Sequence, residues 1–190
     1  MYKHGFVIGI VITNICRFLS TSMAFDGVIG ELQKRNDNYV AEFSESEVPG
    51  KAGMGVLLIT CMDSRIVPHE IFGLKIGDIK VIRNAGGQLN QEVEKDVIIA
   101  SHLLNCHTIV IMPHTKCAMA SGSPESIRSK LTEISGDKFS NFNPSMITDT
   151  RAKLESDVNT LRNHDQLPED VVVHGCIYDV ESGKVSWVIP

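Results

Sequence analysis

In the stretch "LLITCMDSRIVP", Leu57 to Pro68, an apolar run ends on Cys61 and is followed at once by Asp63, Ser64 and Arg65. A second such group follows "TIVIMP", where "HTKCAM" supplies His114 and Cys117. Two thiolates and one imidazole form a soft-to-borderline donor set that suits zinc, and three protein ligands leave a fourth tetrahedral position for water or substrate. His-x-x-Cys sets its two donors one turn apart, so a single short loop or helix start offers both. The same residue types also fit two buried core thiols and a satisfied loop histidine, and spacing alone does not separate the two readings.

Asp63 and Arg65 weigh toward chemistry. In an extended C-x-D-x-R segment, residues 61, 63 and 65 face one side. A carboxylate two residues from a thiolate ligand either joins the metal or accepts a hydrogen bond from water held there. Arg65 would grip it with a bidentate pair and keep it ionised. A plain surface ion pair would be worth little, and that reading leaves its place beside a zinc-type ligand unexplained.

The elements around these residues place them together. At 190 residues the chain has the length of one well-buried domain, expected over residues 25–190. Short apolar runs at Val56 to Thr60, Ile79 to Ile82, Thr108 to Met112 and Val171 to Ile177 read as buried parallel strands. Helices are expected from Asp26 to Phe43, from Glu92 to Leu104, from the Ser123-Pro124-Glu125 start onward, and from Thr148 to Arg162. The end, "YDVESGKVSWVIP", reads as a strand, a tight turn at Glu181 to Gly183 and an antiparallel return. The fold class is therefore α/β: a central, mostly parallel sheet of order 2-1-3-4 plus an antiparallel C-terminal edge strand, with helices on both faces. In such sheets ligands bind at the carboxyl ends of strands where the order switches, here between strands one and three. Cys61 and the His114–Cys117 pair then face each other.

Composition narrows the function classes. With 43% hydrophobic and 22% charged residues the chain reads as an ordinary globular protein, and a net charge of -5 offers no general basic surface for nucleic acid. The five cysteines are odd in number and scattered, unlike a disulfide framework. Cys106, Cys176 and His174 fall in or beside apolar runs and read as core packing. Residues 1–24 carry Lys3, an interrupted apolar run and the small residues Ser22 and Ala24, which reads as a targeting segment or an N-terminal helix. The protein would be secreted or organellar in the first case and cytoplasmic in the second.

"CMDSR", "GDIKVIRNAGG" and "HTKC", in that order, closely resemble the β-class carbonic anhydrases over about Val56 to Met119. The resemblance implies a zinc enzyme that reversibly hydrates carbon dioxide to bicarbonate and a proton by way of zinc-bound hydroxide. It implies Zn2+ ligation by Cys61, His114 and Cys117, with Asp63 and Arg65 as the pair that orients the nucleophile. In some members the aspartate swings onto the metal. It further implies a homodimer or larger homo-oligomer, and a loop at Arg83 to Gly87 beside the site. The compact branch of the family also holds carbonyl sulfide hydrolases, so that substrate stands as an alternative, as does a non-catalytic zinc-binding homologue. Two positions depart from the family pattern. Ala118 stands where glycine is usual, harmless in helical backbone and costly at positive φ. Lys116 stands where a small or acidic residue is usual, and its charge would favour the Cys117 thiolate. His69, His102 and His107 are proton relays by residue type only.

Overall fold

The computed structural model describes residues 27–136 and 139–190. The targeting segment or N-terminal helix expected over residues 1–24 lies outside them. The chain divides into two compact units, one ending at Glu47 and one comprising Val48–Pro190. In the first, residues 27–42 belong to helix α1, within the span expected from Asp26 to Phe43.

The second unit carries the sheet. Its elements run β1 (Val56–Cys61), α2 (Pro68–Phe72), β2 (Ile79–Asn84), α3 (Gln91–Leu103), β3 (Thr108–Met112), α4 (Pro124–Ser135), α5 (Thr150–Arg162), β4 (Val172–Tyr178) and β5 (Val185–Ile189). The strand order is β2-β1-β3-β4-β5, with β1 parallel to both β2 and β3, β3 parallel to β4, and β5 returning antiparallel along β4. The α/β architecture, the order and the antiparallel edge strand are those expected from the sequence. Among the described residues no helix is long and apolar enough to cross a membrane.

Burial on both sheet faces explains why β1 and β3 read as continuous apolar runs. Leu57 and Ile59 of β1 and Ile109 and Ile111 of β3 pack with Val93 and Val97 of α3 and Leu154, Val158 and Leu161 of α5. Leu58, Val110 and Met112 point to the opposite face and pack with Ile66, Cys176 and Tyr178. Cys106 and Cys176 are fully buried, one in each of these clusters, as core packing requires. Burial pushes the Cys176 thiol up to about 12. His174 is half-buried and meets the exposed Trp187 of β5 edge to face.

Caps fix the helices that flank the sheet. The Asn90 side chain accepts from the amides of Glu92 and Val93 at the start of α3. Ser123 and Ser126 exchange bonds in a capping box ahead of Pro124 at α4, and Asp149 caps α5 through the amides of Arg151 and Ala152. The buried carboxylate of Asp157, on α5, accepts from the Leu89 amide at 3.1 Å and pairs with Lys153. It thereby ties that helix to the segment that follows β2.

Candidate metal centre

Register brings the two chemical fragments together. Thr60 of β1 is level with Met112 of β3, and the buried Thr60 hydroxyl donates to the Met112 carbonyl at 2.7 Å. The strands therefore end side by side, with Cys61 closing β1 and His114 two residues beyond β3. β2 lies on one side of β1 and β3 on the other, so this crevice is the switch point of the sheet.

The donor atoms of Cys61, His114 and Cys117 all lie within 4.8 Å of one another, and all three residues are buried. Neither nitrogen of the His114 imidazole has a hydrogen-bond partner among the described residues, although the ring is fully buried. A buried imidazole without partners is costly unless something else takes its lone pair. Burial pushes the His114 imidazole below its usual range, with the Asp63 charge opposing, which favours the neutral ring that a metal requires. Burial pushes the Cys117 thiol up, the amide of Met119 acts the other way, and the Cys61 thiol raises it further. Two thiols crowded against a neutral imidazole in a dry site are the donor set of a divalent soft-to-borderline cation, so these residues fit zinc. The Gly86 amide donates to Cys61 Sγ at 3.4 Å.

Asp63 and Arg65 meet differently from the extended alternation expected of them. The chain turns after Asp63: the Ile66 amide donates to the Asp63 carbonyl at 3.0 Å and the Arg65 amide to Asp63 Oδ1 at 3.0 Å. This turn folds Arg65 back onto its own neighbour, where Nε reaches Oδ1 at 2.9 Å and Nη2 reaches Oδ2 at 2.7 Å. A short acid that bonds an amide two residues on stabilises such turns, which strict alternation overlooks. Asp63 Oδ2 lies 3.9 Å from His114 Nε2, so the pair borders the donor cluster. The Arg65 side chain, then its amide, hold the Asp63 carboxyl well below the usual carboxylate range.

Arg83, read from the sequence only as part of a nearby loop, donates through Nε to the Cys61 carbonyl at 3.0 Å and through Nη2 to the Asp63 carbonyl at 2.7 Å. The β1–β2 register ends at Cys61 and Asn84, and the guanidinium satisfies carbonyls at and beyond that end. No sequence pattern signals this role. His107 precedes β3 and bonds Asn105 Oδ1 at 3.1 Å, and His102 near the end of α3 bonds the Gln166 carbonyl at 2.9 Å. Both stand at the amino ends of the strands, away from the donors. His69, on α2, is on an element that leaves β1 from its carboxyl end.

The two departures from the family pattern now separate. Ala118 opens a 3-10 turn, Ala118–Ala120, so its methyl costs nothing there. Positive φ falls instead on Lys116, at 54°. Its ammonium pairs with Glu181 at 2.5 Å rather than with the Cys117 thiol. An L-residue in that region carries strain of roughly 1–2 kcal/mol, while the exposed ion pair returns little. Lys116→Gly is therefore expected to raise the unfolding free energy by about 1 kcal/mol. Urea titration of the two proteins measures it, and a less stable variant contradicts the strain.

This is an α/β fold of the doubly wound type, carrying a Cys-His-Cys donor cluster at its switch point with an Asp-Arg pair at the rim. The carbonic anhydrase family model matches residues 56–185, and the chain belongs to the β-carbonic anhydrase family. The crystal structure of a carbonic anhydrase from Streptococcus mutans is 30% identical with a TM-score of 0.77, covering 86% of this chain and 96% of that one. A β-carbonic anhydrase 1 of Mycobacterium tuberculosis is 23% identical over 155 residues, 82% of this chain and 94% of its own. A carbon disulfide hydrolase of Acidithiobacillus thiooxidans is 28% identical over 144 residues, 66% of this chain and 72% of its own.

Proposed function

We propose that the protein is a zinc-dependent carbonic anhydrase that reversibly hydrates carbon dioxide to bicarbonate and a proton, with Cys61, His114 and Cys117 as metal ligands and Asp63 and Arg65 as the orienting pair. The observation that carries this reading is the buried His114 imidazole, without a hydrogen-bond partner among the described residues and set among two thiols with the Asp63 carboxylate 3.9 Å away. Zinc supplies a Lewis acid that makes water nucleophilic near neutral pH, with a pKa of about 7 in carbonic anhydrases whose metal is held by three histidines.

The rest is the work of the chain. An ionised carboxylate accepts hydrogen bonds and cannot donate them. Asp63 therefore orients an attacking water with its O–H toward the carboxylate and a lone pair toward the carbon of the substrate. Arg65 fixes both carboxylate oxygens, so the acceptor does not rotate away. Arg83 holds the backbone on which Asp63 sits. The burial of all three donors keeps bulk water from competing at the site.

Two thiolates donate more charge than two imidazoles, so the rate is expected to rise with pH through about 7 and above. Asp63 stays ionised across that range because its carboxyl is held well below the usual value, and it adds no inflection. A pH–rate profile from about 6 to 9 measures this, and a flat profile contradicts it.

Stopped-flow hydration of carbon dioxide by the zinc-loaded protein tests the reading directly. Hydrolysis of carbonyl sulfide and of carbon disulfide on the same sample distinguishes the alternatives, the second because a relative carries that activity in its name. Sulfide release without hydration would transfer the assignment to a hydrolase, and zinc binding without either reaction would make the chain a non-catalytic homologue. Assembly as a homodimer or larger homo-oligomer belongs to the same reading, and light scattering reports it.

A further inference from the structure

The loop that carries His114 and Cys117 is held from outside the site. Its ends are buried at the donor cluster, while Thr115 is half-buried and Lys116 exposed, so the two middle residues turn away from the donors. They meet the turn between β4 and β5. The Tyr178 amide donates to the Pro113 carbonyl at 3.0 Å and the Thr115 amide to the Tyr178 carbonyl at 2.9 Å, an isolated parallel bridge that continues the sheet past the end of β3. The Thr115 hydroxyl then donates to Asp179 Oδ1 at 3.1 Å and accepts from the Val180 amide at 3.2 Å. A hydroxyl that both donates and accepts is locked in one rotamer.

Asp179 is itself fixed. Its Oδ1 accepts from the Glu181 amide at 2.9 Å and its Oδ2 from the Ser182 hydroxyl at 3.0 Å, while Lys116 reaches Glu181 from the loop. The Lys116–Glu181 pair is exposed and weak. The burden therefore rests on Thr115 and Asp179. Lys116 sits at positive φ, a conformation that a free loop would leave, and it separates Thr115 from Cys117 by one residue.

We infer that the β4–β5 turn is a positioning element for the metal centre, in which Asp179, acting through Thr115, sets the spacing of His114 and Cys117. This rests on reading those residues as zinc ligands, and it goes beyond that reading by assigning a role to a turn remote in sequence. Neither Asp179 nor Thr115 touches the reacting atoms, so both are positioning residues.

The test uses the full-length, zinc-loaded chain and a chromophoric zinc chelator as competitor. Thr115→Val removes the hydroxyl at constant shape and Asp179→Ala removes its partner. Each is expected to weaken zinc retention by about 10-fold, the lower end of the range found when groups bonded directly to metal ligands are lost, since these two act through the backbone. Thr115→Ser and Asp179→Asn keep an oxygen in place and are expected to recover most of it. Cobalt-substituted Thr115→Val should also show an altered visible absorption band, which a change in stability alone would not produce. Far-UV circular dichroism confirms that each variant is folded, and Thr115→Val serves if Asp179→Ala is not. Wild-type zinc retention in Thr115→Val overturns the inference. So does a loss that merely tracks a lowered urea midpoint and is not recovered by Thr115→Ser. A protein that shows the expected retention pattern yet does not hydrate carbon dioxide would sink the proposed reaction and leave this inference standing.

Discussion

Replacing Asp63 by alanine is expected to lower carbon dioxide hydration by about 100-fold or more while zinc stays bound. The metal should remain because the donors proposed for it are Cys61, His114 and Cys117, and Asp63 is instead engaged by Arg65 through three hydrogen bonds. The rate should collapse because the carboxylate at the rim of the cluster is removed, so an attacking water loses its orientation. Asp63→Asn separates shape from charge. Asparagine keeps the shape and the turn but exchanges one acceptor oxygen for a donor and gives up the charge that pairs with Arg65. It should therefore fail nearly as badly as alanine. Metal analysis beside stopped-flow hydration measures both halves, and unchanged turnover in either variant would remove Asp63 from the mechanism.

Much of this arrangement is legible in the sequence because the sheet is buried on both faces. β3 runs over Thr108 to Met112, as its apolar run reads, since every residue past its half-buried first one packs inward. β1 and β2 run further than their apolar runs, to Cys61 and Asn84, because the last residues of each pair in the sheet but are no longer aliphatic. The site is legible for a related reason: ligand chemistry restricts residue type, so cysteine and histidine at strand ends stand out. The contacts that hold those side chains leave no such trace. Arg83 and Asp179 are charged residues in exposed-looking surroundings, and their partners are backbone carbonyls and a threonine hydroxyl far away in sequence. Nothing local distinguishes them from solvated charges. α2 escapes a sequence reading because five residues are too few for a periodic pattern. The strain at Lys116 is equally silent, since a lysine carries no expectation of positive φ, and the position that draws suspicion, Ala118, lies two residues further along.

Gly87 offers the clearest way to break the centre without touching a donor. Its φ is +63°, and a Cβ placed on it would stand 2.8 Å from the Cys61 nitrogen and 2.8 Å from the Thr60 carbonyl carbon. Both atoms belong to β1, a central strand bonded on both sides, so neither can retreat. Gly87→Ala thus combines backbone strain of roughly 1–2 kcal/mol with overpacking of roughly 1–3 kcal/mol. For a chain of this size that corresponds to a fall in thermal midpoint on the order of 10 °C. Gly73, which caps α2, supplies the comparison, since its φ of +62° is nearly the same but nothing among the described residues lies within 4 Å of a methyl placed there. Gly73→Ala should show the strain alone and keep its zinc. In Gly87→Ala the clash falls on the residue that carries the Cys61 thiol, so the larger loss of stability should arrive together with weakened metal retention. Equal thermal midpoints for the two variants would show that β1 yields at its carboxyl end, and with that the rigid placement of Cys61 would have to be given up.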